Sequence, residues 1–193
     1  MAPQNIRSIF GIPPSVPSVT DSILVIIDAQ GEYADGLLKV ERSVETRAAI
    51  KALLDRYRAA GPGGVVHVVA DTPEGAPIFT PGTPLAAILP ELTPVDGEPV
   101  VHKVHASAFS GTTFKEEVDK IGRKKLVVVG YMAHNCVSAT VRAAAELGYD
   151  VYAVRDAVGD RNLPEATAEE LVRISLLELA DVVATLIDSK DVQ

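Results

Sequence analysis

Short runs of aliphatic and β-branched residues alternate along the chain with longer stretches in which apolar residues recur at helical spacing. The apolar runs predict strands at residues 23–27, 64–69, 99–101, 126–129, 151–154 and 182–187. The helical stretches predict helices at residues 43–59, 112–120, 136–147 and 164–179. Strands and helices that alternate in this way are typical of an α/β protein.

The predicted strands are almost continuously apolar, as in ILVII at residues 23–27 and LVVV at residues 126–129. Strands of this kind are buried on both faces, which is the environment inside a parallel sheet covered by helices. We therefore expect a three-layer, doubly wound α/β fold, with a mostly parallel sheet of about six strands and helices on both faces.

The chain has 193 residues, which is the size of one domain. Its beginning contains Pro3, Pro13, Pro14 and Pro17. Because proline lacks the backbone N–H that helices and sheets use, residues 1–21 are expected to form an extended arm. Residues 22–193 are expected to form a single folded domain.

Charge and hydropathy argue against two classes of partner. The net charge is −8 and no dense Lys/Arg cluster is present, so a nucleic acid partner is not expected. No apolar stretch approaches the roughly 20 residues that span a bilayer, so a membrane partner is not expected either. The N-terminal residues lack the apolar core of a signal peptide, which makes the cytoplasm the expected compartment. Export by a route without a signal peptide would leave no trace in the sequence.

Polar or reactive residues follow three of the predicted strands. Asp28 comes after ILVII, Lys103 comes after PVVH, and the segment 130–136 comes after LVVV. In open α/β sheets the ligand crevice lies outside the carboxyl ends of the strands, near the point where the strand order reverses. The sequence therefore predicts a site formed by Asp28, Lys103 and Cys136.

Each of these side chains also has an ordinary structural interpretation. Asp28 could be a turn residue, although a carboxylate at the end of a buried strand needs a cation, a donor or a proton. Lys103 could be solvated, or it could pair with Asp28 across the crevice. Cys136, the one cysteine, could be an inert buried residue. It could also be a nucleophile at a helix start capped by Asn135, where the helix dipole lowers a thiol pKa.

An acid, an amine and a thiol that converge on one crevice are the parts of nucleophilic acyl transfer. The chain also resembles the isochorismatase-like cysteine hydrolase superfamily. The resemblance covers nearly the whole predicted domain and lies in four segments: IIDAQ (26–30), HKVHASAF (102–109), GYMAHNCVSAT (130–140) and GYDVYAVRDAVGDR (148–161).

This resemblance implies a catalytic triad of Asp28, Lys103 and Cys136. It also implies a non-proline cis peptide bond between Tyr131 and Met132. The backbone amides of Met132 and Cys136 would then form an oxyanion hole.

The resemblance and the chain pattern also suggest which residues surround a small-molecule substrate. The loop at residues 71–98 is rich in proline and glycine, and a loop of this length is usually functional or at an interface. We expect this loop to form a pocket wall together with Phe109, Tyr131 and Tyr33. The residues expected to bind substrate are Gln30, Phe109, Tyr131 and His134.

Similar nicotinamidases carry a metal site with an Asp-x-His motif after the second strand. The same place in this chain reads Asp71-Thr72-Pro73, without histidine. We therefore expect no catalytic metal and no other cofactor. The four histidines, His67, His102, His105 and His134, are expected to be core, rim or cap residues rather than metal ligands.

The sequence thus favours a metal-independent cysteine hydrolase that cleaves a small amide or a related carbonyl compound. One alternative is an isochorismatase, in which Asp28 donates a proton to a vinyl ether and no thiol is needed. Another is a non-catalytic binding module on the same fold. A homo-oligomer is also expected, because the helix at residues 137–145 is rich in small side chains.

Overall fold

The computed structural model describes residues 4–13 and 15–193. Six strands form one sheet in the order β3-β2-β1-β4-β5-β6, and every neighbouring pair is parallel. The strands are β1 Ser22–Ile27, β2 Val65–Ala70, β3 Val100–Lys103, β4 Lys125–Tyr131, β5 Asp150–Gly159 and β6 Ala184–Ile187. The order reverses between β1 and β4, which confirms the predicted doubly wound α/β fold.

Helices cover both faces of this sheet. They are α1 Ile6–Ile9, α2 Glu32–Asp35, α3 Ser43–Ala59, α4 Phe114–Ile121, α5 Ser138–Glu146 and α6 Ala168–Val182. Alternate residues of β1 point into two separate cores. Ile23 and Val25 pack on the side of α4, α5 and α6, whereas Leu24 and Ile26 pack on the side of α3. Burial on both faces is the physical reason for the continuous apolar run in β1.

Helix α6 begins later than the sequence pattern indicates. The prediction placed its start at residue 164, but the helix starts at Ala168, after the N-cap residue Thr167. The Thr167 hydroxyl accepts a hydrogen bond from the Glu170 N–H, and the Glu170 carboxylate accepts one from the Thr167 N–H. This reciprocal capping box fixes the first turn of α6.

The N-terminal segment is not extended throughout. Residues Ile6–Ile9 form one helical turn, and the Asn5 side chain caps it by accepting a hydrogen bond from the Ser8 N–H at 2.7 Å. The Ile6 N–H donates to Asp181 Oδ1 at 2.8 Å, which ties the turn to α6. Two of the prolines on which the extended arm was predicted, Pro3 and Pro14, lie outside the described residues. In the part of the chain that is described, no helix has the length and apolarity needed to cross a membrane.

Candidate active site

Asp28 is the first residue after β1, and its backbone has a positive φ of 49°. Residues other than glycine rarely adopt this conformation, although asparagine and aspartate do so more often than the others, and residues in such sparsely populated regions cluster at functional sites. The Asp28 N–H donates to the Val68 carbonyl at 2.9 Å, so the turn is held against β2. The Asp28 side chain is completely buried, which places a carboxylate at the edge of an apolar sheet.

Lys103 supplies the cation that this buried carboxylate needs. It is the last residue of β3, and its side chain extends past the end of β2 to reach Asp28. The Lys103 Nζ lies 2.8 Å from Asp28 Oδ2, and neither side chain is appreciably exposed. Burial alone would lower the pKa of Lys103, but the Asp28 charge raises it above its ordinary value. The lysine is therefore a protonated partner.

Cys136 completes the group, because Lys103 Nζ also donates a hydrogen bond to its Sγ at 3.2 Å. The helix around Cys136 differs from the prediction. A turn of π-helix covers Ala133–Val137 before α5 begins, and its N-cap is Met132 rather than Asn135. In this turn the Val137 N–H donates to the carbonyl of Met132, five residues earlier. The structure thus brings Asp28, Lys103 and Cys136 together.

The prediction of a lowered thiol pKa is wrong. Burial raises the pKa of Cys136 to about 12, the charge of Asp28 also raises it, and Lys103 opposes the shift. Burial likewise raises the pKa of Asp28, against the opposing charge of Lys103. At neutral pH the sulfur therefore carries its proton, and it needs a neighbouring base before it can act as a nucleophile.

The ends of β1 and β4, which lead to Asp28 and Cys136, lie unusually close together. Gly130, in β4, has a φ of 112°, and a Cβ at this position would lie 2.0 Å from the Ile27 carbonyl oxygen in β1. Only glycine allows this approach. One residue further along β4, the peptide bond between Tyr131 and Met132 is cis, at the position that the family resemblance implied.

Gln30 holds a loop instead of facing a ligand. Its Nε2 donates to the carbonyls of Ala70 and Ala86 at 3.0 and 2.8 Å, and its Oε1 accepts from the Ala70 N–H at 2.8 Å. These bonds use both amide protons and the carbonyl oxygen. Gln30 therefore shapes the pocket by joining the end of β2 to the loop that follows it, and direct binding of substrate by its amide is not supported.

Two of the predicted substrate contacts are aromatic residues that take part in packing. Tyr131 is fully buried in the core on the α3 side, and its hydroxyl lies 2.8 Å from Thr46 Oγ1. Binding of substrate by the Tyr131 side chain stays a prediction. Phe109 is partly buried and packs edge to face against Phe114 with 4.8 Å between ring centroids. A contact between Phe109 and substrate stays a prediction.

His134 lies in the turn that carries Cys136 and remains partly exposed. Its Nδ1 lies 2.7 Å from Asp160 Oδ2, and its backbone N–H donates to the same oxygen at 3.0 Å. Asp160 is fully buried, and sequence reasoning missed it. It is the first residue after β5, but the strand-end rule did not find it because the predicted strand ended at residue 154. Binding of substrate by His134 stays a prediction.

The long loop after β2 packs over the turn that follows Asp28. The Glu32 carboxylate accepts hydrogen bonds from the N–H groups of Leu38 and Phe79, at 3.1 and 3.2 Å. Phe79 has a positive φ of 47°, and its ring packs edge to face on Tyr33 with 5.3 Å between centroids. The loop therefore contributes an aromatic side chain beside the start of α2. The sequence did not single out Glu32 or Phe79.

Two histidines pair with carboxylates away from the triad. His67 Nε2 lies 3.0 Å from Glu98 Oε2, and His102 Nδ1 lies 2.9 Å from Asp71 Oδ2. Among residues 4–13 and 15–193, no three His, Cys, Asp or Glu side chains gather in a way that could hold a metal ion. A reaction without a catalytic metal stays a prediction.

A family model, the isochorismatase domain, matches residues 22–191. The secreted isochorismatase effector Isc1 of Verticillium dahliae is 54% identical over 186 residues, which cover 96% of this chain and 97% of the relative. Nicotinamidase 3 of Arabidopsis thaliana is 28% identical over 180 residues, 89% of this chain and 87% of the relative. The crystal structure of an isochorismatase from Pseudomonas putida matches with a TM-score of 0.93 and 31% identity, over 100% of both chains.

Proposed function

Because the chain belongs to the isochorismatase family, a family of hydrolases that includes amidases, we propose that it is a metal-independent cysteine hydrolase of a small amide or related carbonyl compound. One observation carries this proposal. Lys103 Nζ lies 2.8 Å from Asp28 Oδ2 and 3.2 Å from Cys136 Sγ, so a base, a cation and a nucleophile meet in one buried site.

In the proposed reaction Asp28 first takes the proton of the Cys136 thiol. The thiolate then attacks the substrate carbonyl, and Asp28 returns the proton to the leaving amine as the C–N bond breaks. A water molecule then gives a proton to Asp28 and attacks the resulting thioester; the C–S bond breaks, the acid product leaves, and Asp28 returns the proton to the Cys136 sulfur. Burial raises the pKa of Asp28 above its ordinary value, which favours the return of the proton to the leaving amine.

The remaining parts of the site support charges that develop during this reaction. Lys103 neutralises the Asp28 carboxylate in the resting enzyme and stabilises the thiolate once it forms. We assign the oxyanion to the backbone amides of Met132 and Cys136, which belong to the same turn. Preorganised amides of this kind need no rearrangement when the carbonyl oxygen becomes negative.

Isochorismatase activity is the second candidate, and a specific observation favours it. The Verticillium relative, 54% identical, is named an isochorismatase. In that reaction a protonated Asp28 would donate its proton to the vinyl ether, and water would cleave the ether bond. Burial, which raises the pKa of Asp28, also favours its protonated form.

Two substitutions separate the candidates on whichever substrate is hydrolysed in a screen of small amides and isochorismate. With thiol chemistry, Cys136→Ala and Asp28→Asn each lower kcat by about 10³-fold or more, because each removes a group that acts in the transition state. With vinyl-ether chemistry, only Asp28→Asn has this effect. Circular dichroism of both variants controls for folding. A folded, fully active Cys136→Ala protein would exclude the thiol mechanism.

The compartment in which the enzyme acts is a separate proposal. The Verticillium relative is named a secreted effector, which does not fit the cytoplasmic expectation. We propose that this chain is also exported and acts outside the cell that makes it. Immunodetection of the protein in medium and in lysate, with a cytosolic enzyme as the control for lysis, tests this. Retention of the protein with the cytosolic marker would contradict export.

A further inference from the structure

Asp160 is a buried acidic residue that the proposed reaction does not use. Within the described residues, three acidic residues are buried: Asp28, Glu32 and Asp160. Asp28 belongs to the triad, and the Glu32 carboxylate holds the loop that follows β2. A carboxylate loses its hydration when it is buried, so hydrogen bonds from the protein have to compensate it. The donors that contact Asp160 therefore indicate what the residue does.

Both oxygens of Asp160 have partners, and two of the three partner atoms belong to His134. Oδ2 accepts the His134 backbone N–H at 3.0 Å and lies 2.7 Å from His134 Nδ1, whereas Oδ1 accepts the Arg161 N–H at 2.9 Å. The Asp160 side chain is completely buried, and the His134 side chain is 30% exposed. The carboxylate is therefore fixed in direction, and it holds His134 by its backbone as well as by its ring.

Strand pairing places Asp160 beside the start of the π-helical turn Ala133–Val137. Gly159, the last residue of β5, pairs with Tyr131, the last residue of β4. The residues that follow this pair are Asp160 and Met132, and Met132 is the N-cap of the turn. The Asp160 carboxylate thus connects the end of β5 to the turn that follows β4.

The turn has few hydrogen bonds of its own near its start. The N–H groups of Asn135 and Val137 both donate to the Met132 carbonyl, at 3.1 and 3.2 Å. The first N–H groups of a helical turn have no acceptor within it. Asp160 accepts the one that belongs to His134. The carboxylate therefore supplies a hydrogen bond that the turn cannot form by itself.

We propose that Asp160 is a positioning residue, which holds His134 and thereby fixes the turn that presents the Cys136 thiol to the substrate. Cys136 lies two residues after His134, so a shift of His134 moves the sulfur and the Cys136 amide together. A displacement of about 1 Å at a reacting group can lower a rate by about 10²-fold. This inference rests on the proposed function, because it takes Cys136 as the nucleophile.

Asp160→Asn tests the proposal, because it keeps the size of the side chain but leaves one acceptor oxygen for donors on two sides. On a substrate that the enzyme hydrolyses, kcat is expected to fall by about 10- to 100-fold, while KM changes by less than about threefold. The matched control is Asp156→Asn in the same strand. The Asp156 carboxylate also accepts a backbone N–H, that of Ser189 at 2.8 Å. Because this contact lies at the surface, kcat is expected to stay within about twofold.

Hydrogen exchange of single amides separates this inference from the proposed function, because it needs no turnover. In the Asp160→Asn protein the amides of His134, Asn135 and Val137 are expected to exchange at least about tenfold faster, whereas those of β1 and α6 keep their protection. Alkylation of the buried Cys136 by iodoacetamide at pH 9 should also become at least about threefold faster, because a loosened turn exposes the thiol. These two results support the inference even if no substrate is found.

The inference is overturned by unchanged exchange of the turn amides, by an equal acceleration across the whole protein, or by a loosened turn that leaves kcat unchanged. Asp160→Ser, which keeps one small acceptor, is measured in the same way if Asp160→Asn does not fold. If neither variant folds, Asp160 serves the fold as a whole, and the inference is likewise overturned.

Discussion

At the scale of single residues, Lys103 is the cation that allows Asp28 to be buried. Replacement by methionine leaves the carboxylate in an apolar site without compensation, which costs roughly 3–5 kcal/mol of unfolding free energy. The matched control is Lys120→Met, because Lys120 pairs with Glu117 at the surface and should cost no more than about 1 kcal/mol. Urea unfolding measures both.

A second variant keeps this stability prediction testable if Lys103→Met is hard to isolate. Asp28→Asn combined with Lys103→Met removes both charges and should recover part of the lost stability without recovering activity. A Lys103→Met protein as stable as Lys120→Met would show that the ion pair contributes little to the fold.

The rate at which the Cys136 thiol is alkylated is expected to depend on pH in an unusual way. Only the thiolate reacts with iodoacetamide, and burial raises the pKa of Cys136 to about 12. The alkylation rate of the folded protein should therefore rise roughly tenfold per pH unit between about pH 7 and 10, without a plateau. The protein unfolded in urea is the control, and its rate should level off above a pKa of about 8.5. A plateau below pH 8 in the folded protein would mean that the thiolate is stabilised.

At the scale of secondary-structure elements, the contact between β1 and β4 depends on Gly130. Gly130→Ala places a Cβ against the Ile27 carbonyl and should cost on the order of 3 kcal/mol or more, with a large loss of activity. Gly122→Ala is the control, because Gly122 also has a positive φ but has open space around it. It should cost only about 1–2 kcal/mol and leave activity unchanged. Equal effects of the two changes would contradict a steric role for Gly130.

The elements that could be predicted from the sequence are those whose bounds are set by the pattern of their own residues. The helix at residues 43–59 has the predicted bounds, because one face carries a regular apolar stripe that includes Ile50, Leu53 and Leu54. Strand β5 continues five residues beyond its predicted end, through the exposed Arg155 and Asp156, because pairing with β4 resumes after a bulge. Charged residues conceal this continuation in the sequence.

In the candidate site, too, the features set by neighbouring residues could be predicted, whereas those set by distant parts of the chain could not. The strand-end rule identified Asp28, Lys103 and Cys136, since each reactive residue follows an apolar run. The hydrogen bonds of Gln30 to Ala86 could not be predicted, because they depend on where a long loop folds. The raised thiol pKa was missed for a related reason. It depends on burial by distant residues and on the charge of Asp28, which is remote in sequence.

At the scale of the whole molecule, assembly into a homo-oligomer stays a prediction. The small residues of α5 were expected to pack against a second copy, but Thr140, Val141 and Ala144 are buried within the chain itself. Ala145 also packs against the core of the chain, whereas the half-buried Ala143 does not. Light scattering at micromolar concentration should give a mass of at least two chains, and Ala143→Arg should lower it. A monomeric mass for the unmodified protein would reject the prediction.

Lys103 is carried by β3, a strand of four residues that lies at the edge of the sheet and pairs only with β2. Edge strands with few neighbours are among the first parts of a protein to open locally, well before global unfolding. Each such opening would withdraw the ammonium group from Asp28 and Cys136 while the central strands remained paired. Heat or denaturant is therefore expected to abolish activity at a lower temperature or concentration than it unfolds the central strands.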